Sequence, residues 1–188
     1  SKTNRNGQTI TFEYDALNRL TRKVRPPSTL EVGPQETNFI YDSVGNLTGG
    51  LTGDTSVSLQ YDLADRLAAA VVFPPVSAPT LYFYDLNGNR TSMQDPEGGV
   101  TTYTYDALNR VTSVTNPKGQ STAFTHDALG RRTSVIHANG VVTSYTYDAA
   151  SQLLGLSHQV GVSTINSFAY TYDRVGNRTS KTDRNGLT

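Results

Sequence analysis

Eight aspartates recur along the chain, and seven of them directly follow a tyrosine. Carboxylates at regular spacing are potential ligands for a metal ion such as calcium. Asp85, Asn87 and Asn89 match the first three ligand positions of a calcium loop. However, Gly88 stands at the fourth position of that loop rather than the sixth, and Pro96 occupies the place of the closing Glu. The pattern therefore favours turn-forming aspartates over calcium ligands.

Each of these aspartates forms, with the residue before it, a pair that we call the anchor. The eight anchors are Tyr14 and Asp15, Tyr41 and Asp42, Tyr61 and Asp62, Tyr84 and Asp85, Tyr105 and Asp106, His126 and Asp127, Tyr147 and Asp148, and Tyr172 and Asp173. Successive anchors are 20 to 27 residues apart, with a basic period of about 21. Such a period is typical of a repeat protein in which each repeat is one supersecondary unit. We expect the anchors to be structural, with the Tyr packing and the Asp starting a turn.

The residues in front of each anchor predict a strand. Two residues before the anchor Tyr, all eight repeats carry a large apolar or aromatic side chain: Phe12, Phe39, Leu59, Tyr82, Tyr103, Phe124, Tyr145 and Tyr170. The residue in between is polar in six of the eight repeats, the exceptions being Ile40 and Phe83. This alternation predicts a strand with one aromatic face and one threonine-rich face.

The residues after each anchor predict a tight turn. Three residues after the anchor Asp, seven of the eight repeats carry Gly, Asn or Asp, which tolerate positive φ. An Asp followed by a left-handed residue predicts a short hairpin with a bulge. A second strand then ends in another turn of the same chemistry, as at Asn116-Pro117-Lys118-Gly119. One repeat is thus two antiparallel strands and two turns, or about sixteen strands in total.

Four segments interrupt this rhythm. Residues 25–37 and 73–80 are rich in proline, whereas residues 49–56 and 155–167 carry Gly and Ser. We expect longer loops within a single array over residues 1–188, because the repeat resumes in phase after each. The first and last nine residues match at seven positions with an offset of 179. This match reflects either ordinary similarity between turns or a longer period, and we expect the chain to be a piece of a longer polypeptide.

Composition excludes several classes of protein. Lys and Arg number 16, as do Asp and Glu, which argues against a nucleic-acid binder held by net positive charge. The absence of Cys excludes disulfides and Cys-based metal sites, and no apolar run is long enough for a membrane span. Threonine, valine and aromatic residues are typical of strands rather than of disorder.

No catalytic residue, cofactor or metal site is predicted. Among the three histidines, His126 replaces an anchor Tyr and is expected to pack in its place, His137 starts a turn, and His158 lies in an insertion. No pair has the spacing of zinc ligands, and no Gly-x-Ser-x-Gly motif is present. Arg90 and Arg132 share a position with several leucines, which predicts a mixed face rather than a continuous track for phosphates.

The segments 84–91, 105–112 and 172–179 resemble RHS repeats, also called YD repeats. The resemblance covers almost the whole chain. It implies an all-β fold of tandem antiparallel β-hairpins that form one long curved or spiralling sheet, part of a hollow shell. In bacterial members this shell belongs to large secreted toxins and encloses a C-terminal toxin, and the related animal teneurins use it at cell contacts. The self-cleavage region and toxin domain of complete members are not found in this sequence, so neither is carried over.

The expected function is therefore structural. Open, twisted sheets rarely exceed about 10 strands, and an aromatic face left in water would forgo roughly 1.5–3 kcal/mol per large side chain. We expect a secreted or surface-exposed shell segment that encloses cargo. Its partners would be the remaining repeats of the same polypeptide, the cargo, and other copies through the sheet edges. The alternatives are a fibrous or adhesive cell-surface protein and, less favoured, a carbohydrate-binding module.

Overall fold

The structure is a computed structural model that describes residues 1–5, 7–27, 35–75 and 78–187. These residues form seventeen β-strands. The first nine are β1 (Lys2–Thr3), β2 (Thr9–Tyr14), β3 (Leu20–Arg25), β4 (Gln35–Tyr41), β5 (Leu47–Thr52), β6 (Thr55–Tyr61), β7 (Leu67–Phe73), β8 (Thr80–Tyr84) and β9 (Arg90–Gln94). The other eight are β10 (Val100–Tyr105), β11 (Val111–Thr115), β12 (Ser121–His126), β13 (Arg132–Ile136), β14 (Val141–Tyr147), β15 (Leu153–Val160), β16 (Ser163–Tyr172) and β17 (Arg178–Asp183). The described part of the chain contains no helix that could cross a lipid bilayer.

Two compact units divide the chain. The first comprises Ser1–Phe83 and Met93–Gly99, and the second comprises Tyr84–Ser92 and Val100–Thr188. In the first unit, the strands from β1 to β8 pair antiparallel, each with the next. In the second unit, the strands from β10 to β17 do the same. The predicted all-β fold of tandem antiparallel hairpins is confirmed in both units.

The strands before the anchors alternate as predicted. All eight side chains two residues before the anchor are half-buried, whereas all eight in between are exposed. The exposed residues include the two apolar exceptions, Ile40 and Phe83, whose relative solvent exposures are 60% and 49%. The direction of each side chain is therefore set by the pleat of the strand rather than by its own polarity.

A register shift lies immediately before the anchor Tyr. In the hairpin of β10 and β11, Thr104 pairs with Ser113 but Tyr105 pairs with Val111, so that Thr112 is the extra residue of a β-bulge. The same shift precedes seven of the eight anchors in the described pairings. The sequence predicted a bulge at this end of the hairpin, and the bulge is confirmed.

Two of the predicted loops are wrong. Residues 49–52 belong to β5, and a two-residue turn at Gly53 and Asp54 leads directly into β6. Likewise, β15 and β16 are extended strands joined by a two-residue turn at Gly161 and Val162. Gly53 and Gly161 have φ of 55° and 56°, as tight hairpin turns require. The proline-rich interruptions separate strands, since β3 ends at Arg25 and β4 begins at Gln35, and β7 ends at Phe73 and β8 begins at Thr80. Within them, residues 28–34 and 76–77 lie outside the described residues.

Neither unit has a layered core. Among the described residues only Gly49, Ala69, Val135 and Thr143 are buried. Each described strand contacts only the strands before and after it in sequence. Each unit is thus a single layer, held by main-chain pairing and by contacts between neighbouring repeats. The seventeenth strand, one more than predicted, is the short β1, which pairs with the start of β2.

Candidate functional site

The anchor aspartates close the turns through their main chain. In the fifth repeat the Asp106 N–H donates to the Arg110 carbonyl, and the Asn109 N–H donates to the Asp106 carbonyl, both at 3.0 Å. The same two hydrogen bonds close all eight anchor turns. The residue three after the Asp has positive φ in every case, including the non-glycine residues Asn18, Asp65, Asn109 and Ser151. The prediction of a left-handed residue at this position is confirmed.

The carboxylate of each anchor Asp is used by the same turn. One oxygen of Asp106 accepts the N–H of Leu108 at 2.9 Å and the N–H of Arg110 at 3.0 Å. The bond to the N–H four residues on is present in all eight turns. These bonds engage the oxygens that a calcium site would need as ligands. No cluster of metal-binding side chains occurs among residues 1–5, 7–27, 35–75 and 78–187.

Four residues after each anchor Asp stands a polar side chain that, in seven of the eight described turns, binds the second carboxylate oxygen. We call it the bridging position. It is Arg19, Asn46, Arg66, Asn89, Arg110, Arg131, Gln152 or Asn177. Arg110 donates its Nε–H to Asp106 at 2.7 Å, and Asn89 donates its side-chain amide N–H to Asp85 at 2.9 Å. All eight residues are hydrogen-bond donors, a regularity that the sequence contained and that our sequence analysis missed.

The bridging residue also contacts the following repeat. The Nη1 of Arg131 donates to the main-chain carbonyl of Asp148 at 2.7 Å, and Arg110 donates in the same way to Asp127. Where Asn replaces Arg, the amide of Asn89 donates to the Asn109 side chain at 2.7 Å. A single side chain therefore stabilises its own turn and joins it to the next.

The anchor tyrosines make a reciprocal contact with the preceding repeat. The hydroxyl of Tyr147 donates to the Arg132 carbonyl at 2.9 Å, and that of Tyr41 donates to the Leu20 carbonyl at 2.9 Å. Tyr61, Tyr105 and Tyr172 donate in the same way at 2.9 Å. The anchor Tyr thus provides a hydrogen bond as well as packing, which the sequence did not predict.

The sequence that forms these turns matches a known repeat family. The RHS Repeat family matches residues 1–28, 84–121, 105–142 and 126–162, which together exceed half of the chain. The chain belongs to the RHS-repeat family. No curated protein matches the sequence. The family assignment predicted from the anchor motifs is confirmed.

Solved structures show the same fold as this RHS array. A mutant Photorhabdus luminescens Tc holotoxin pore matches with a TM-score of 0.73 at 17% identity, over 94% of this chain and 10% of that chain. The structure of TcdB2-TccC3-TEV matches with a TM-score of 0.76 at 16% identity, over 97% of this chain and 11% of that chain. The structure of TcdB2-TccC3 matches with a TM-score of 0.72 at 17% identity, over 94% of this chain and 11% of that chain. The chain spans about a tenth of the length of these proteins.

Cations lie over many of the aromatic rings of the RHS array. The Arg131 guanidinium is 4.8 Å from the ring centre of Tyr147, so the bridging residue also stacks on the next anchor. The arginines six residues after an anchor behave similarly. Arg90 lies 4.6 Å from the ring of Tyr103, and Arg132 lies 5.0 Å from that of Phe124. These arginines therefore do not form a separate basic track, and they cover ring faces that a sugar would need for stacking.

The anchor environment lowers the pKa of several carboxyl groups. For Asp15, Asp62 and Asp106 the largest cause is the backbone N–H of the bridging residue, assisted by its side chain and opposed by burial. Burial raises the pKa of the Tyr105 phenol, which keeps it protonated as a donor. The anchor of Tyr105 and Asp106 thus combines an ionised carboxylate with a neutral phenol.

In several RHS repeats the second turn has the same construction as the anchor turn. The Gly119 N–H donates to the Asn116 carbonyl at 2.9 Å, and the Asn116 side chain accepts the Gln120 N–H at 2.9 Å. Asp95 and His137 begin equivalent turns. Since Asn116 replaces Asp without loss of the turn, a charged carboxylate is not required for this geometry.

The histidines of the array lie in three different settings. His126 is half-buried at the anchor position. His158 lies within β15 rather than in a loop, so its predicted setting was wrong. Its Nδ1 is 3.0 Å from the Oγ1 of the buried Thr143, and the Nε2 of His137 is 3.4 Å from the same oxygen. Paired strands thus bring together two histidines that are far apart in sequence.

Proposed function

We propose that this chain is a structural segment of the wall of a secreted RHS-repeat shell that encloses a C-terminal toxin or other cargo. The observation that carries the proposal is the fold match to TcdB2-TccC3, which extends over 94% of this chain. One of the matched structures is a Tc holotoxin pore with a mutation in TccC3, so TccC3 is a toxin component. The repeat geometry supports a role as a scaffold, because the anchor groups are engaged in structural hydrogen bonds.

The two faces of the sheet support a wall. One face carries half-buried side chains two residues before each anchor Tyr or His, all aromatic except Leu59, and the other carries exposed, mostly polar ones. Covering half-buried aromatic side chains further would add stabilisation at roughly 25 cal/mol per Å² of apolar surface removed from water. In a wall, one face of the sheet is turned toward the enclosed material. That material can cover the aromatic side chains, which a free single-layer sheet leaves partly exposed.

The remaining parts of the proposal follow from this role. Residues 1–188 would be one array of about eight repeats. Its first partners would be further RHS repeats of the same polypeptide, since the chain matches only 10–11% of the length of the shell-type proteins. The eight anchor pairs would serve as structural elements, without turnover or cofactor. We place the protein outside the cell or at its surface, because a structure that shares its fold is that of a Tc holotoxin pore.

The test uses the complete polypeptide to which these repeats belong. Cryo-electron microscopy is expected to reveal a closed, hollow particle whose wall contains the hairpins. A protease that digests the isolated C-terminal cargo is expected to leave that cargo intact inside the particle, and to digest it once the shell is unfolded. An extended rod, or digestion of the cargo at the same rate in both states, would refute encapsulation.

One observation favours a second candidate, a self-assembling fibrous or adhesive protein. The turn that starts at Asn4 and the turn that starts at Asp183 have the same bonds, with Gly7 donating to Asn4 at 3.1 Å and Gly186 donating to Asp183 at 3.0 Å. Equivalent turns at an offset of 179 residues are compatible with hairpins that continue from copy to copy. Electron microscopy of the purified chain separates the candidates, because fibres support assembly and uniform particles oppose it.

A further inference from the structure

The series of anchor tyrosines is interrupted at His126. At this place the aromatic face of the second unit contains a cleft of about 410 Å³, lined by Arg110, Val111, Val114, Phe124, His126 and Arg132. A cleft of this size falls in the range of about 300–1,000 Å³ that is common for small-molecule sites. His126 both interrupts the tyrosine series and lines the cleft. This indicates that the replacement of Tyr by His creates the cleft.

The neighbouring repeat shows which contacts an anchor Tyr makes. There, the ring of Tyr147 lies 4.8 Å from the Arg131 guanidinium, and its hydroxyl donates to the Arg132 carbonyl at 2.9 Å. By the same repeat offset, a Tyr at position 126 would stack on Arg110 and donate to the carbonyl of Val111. The imidazole of His126 is smaller than a phenol. In the described residues, no side chain donates to that carbonyl, and no phenylalanine or tyrosine ring lies against the Arg110 guanidinium.

The lining favours an anion with an apolar body. Val111, Val114 and Phe124 provide an apolar surface, and two guanidinium groups border it. Arg110 is paired with Asp106 at 2.7 Å, so its charge is partly balanced. Arg132 stacks on Phe124 at 5.0 Å and has no carboxylate within ion-pair distance in the described part of the chain. Arg132 is therefore the group best suited to bind a carboxylate.

We propose that this cleft binds a small phenolic carboxylate, in which the phenol occupies the place of the replaced anchor Tyr. The aromatic ring stacks beneath Arg110 and packs against Val111 and Phe124. The hydroxyl donates to the Val111 carbonyl, and the carboxylate pairs with Arg132. The proposal does not depend on whether the array forms a shell or a filament, because all six lining residues belong to consecutive repeats of one unit.

The test measures binding of 4-hydroxyphenylacetate to the whole chain by isothermal titration calorimetry. Saturable binding with a Kd in the millimolar range or tighter is expected, and the absence of binding up to about 10 mM would overturn the proposal. His126→Tyr fills the cleft and is expected to weaken binding at least tenfold. Since this variant restores the regular anchor, it is expected to fold, which circular dichroism verifies. Unchanged affinity in His126→Tyr would refute the assigned position.

Two further comparisons test the assigned contacts. Arg132→Gln is expected to weaken binding about tenfold, whereas the matched variant Arg178→Gln, at the same repeat position beside Tyr172, leaves it unchanged. Phenylacetate, which lacks the hydroxyl, is expected to bind several-fold more weakly than 4-hydroxyphenylacetate. Equal loss in both arginine variants would indicate non-specific attraction of anions and would refute the site. Equal affinity for both probes would refute the bond to Val111.

Discussion

The guanidinium of Arg131 donates a 2.7 Å hydrogen bond to the main-chain carbonyl of Asp148 in the next repeat. It also binds the carboxylate of its own anchor, Asp127, at 2.7 Å, and stacks on the following anchor, Tyr147. One side chain thus combines three contacts that are normally distributed over several residues. In a single-layer sheet, where little side-chain surface is buried, such contacts replace part of the stabilisation that a core would supply.

Arg131→Lys is expected to destabilise the protein although it keeps the charge. A lysine ammonium lacks the planar fork that binds a carboxylate and a carbonyl at the same time. We expect a loss of about 1 kcal/mol, or about 2–4 °C in the melting temperature of a protein of this size. Arg174→Lys, at an exposed turn position without a described partner, is the matched control and should have no effect. Equal shifts in the two variants would contradict a bridging role.

Tyr105→Phe is expected to remove one inter-repeat hydrogen bond and leave packing intact. The lost bond joins the hydroxyl to the Arg90 carbonyl at 2.9 Å. We expect a loss of about 1 kcal/mol of unfolding free energy, because the carbonyl loses its donor. Tyr14→Phe serves as the control, since Tyr14 belongs to the first anchor and is 56% exposed. Chemical denaturation measures both, and a Tyr105→Phe variant as stable as Tyr14→Phe would contradict the assigned bond.

Acidification is expected to destabilise the array through its anchor carboxylates. The pKa values of Asp15, Asp62 and Asp106 are lowered by the N–H groups and side chains of their bridging residues. A carboxyl with a lower pKa in the folded state contributes stability above its unfolded pKa, and this stability is lost as the pH falls through the folded value. The melting temperature should therefore stay constant between about pH 7 and about pH 5 and fall below about pH 4.

Asp106→Asn separates charge from turn geometry. Asn116 shows that an amide oxygen accepts the same backbone N–H groups, so the variant should fold. It is expected to be less stable than the unaltered protein at neutral pH and to lose less on acidification, because the pair with Arg110 is already absent. Asp54→Asn, at an exposed carboxylate without a described hydrogen bond, is the control. A constant difference between Asp106→Asn and the unaltered protein at every pH would exclude the charged pair as the cause.

Gly130→Val is expected to destabilise its repeat through the backbone alone. Gly130 has φ of 80°, and a Cβ at this position would meet no atom within 4 Å. The cost therefore comes from holding a β-branched residue at positive φ. Gly130→Asn should be tolerated much better, because Asn18 and Asn109 occupy the equivalent position with φ of 60°. Equal melting temperatures for the two variants, measured by thermal denaturation, would contradict this explanation.

The sequence predicted the turns well because their chemistry is local. An Asp followed three residues later by Gly or Asn specifies the hairpin without reference to any other part of the chain. The alternation around the anchor likewise predicted which side chains are half-buried, and even Ile40 and Phe83 follow the pleat. The anchor turns and the faces of the strands before them were thus assigned correctly, whereas the bond between the anchor Asp and its bridging residue was missed.

Contacts between repeats could not be predicted in the same way. The target of the Tyr147 hydroxyl is a carbonyl fifteen residues earlier, and only the register between adjacent hairpins brings the two groups together. The extended strands β5 and β15 were assigned to loops because Gly and Ser carry little strand propensity by themselves. Pairing with neighbouring strands, which is a tertiary effect, determines their conformation.

Several hydrogen bonds between repeats have a main-chain carbonyl as acceptor, and this choice of acceptor has an evolutionary consequence. Tyr41, Tyr147, Arg19 and Arg131 all donate to main-chain carbonyls. A carbonyl is present whatever side chain its residue bears, so a newly duplicated repeat finds its acceptor beside any other copy. Gene duplication and deletion can therefore change the length of such arrays by whole repeats without compensating mutations at the junction. Individual copies remain free to diverge, as Leu20 and Arg132 have done at one equivalent position.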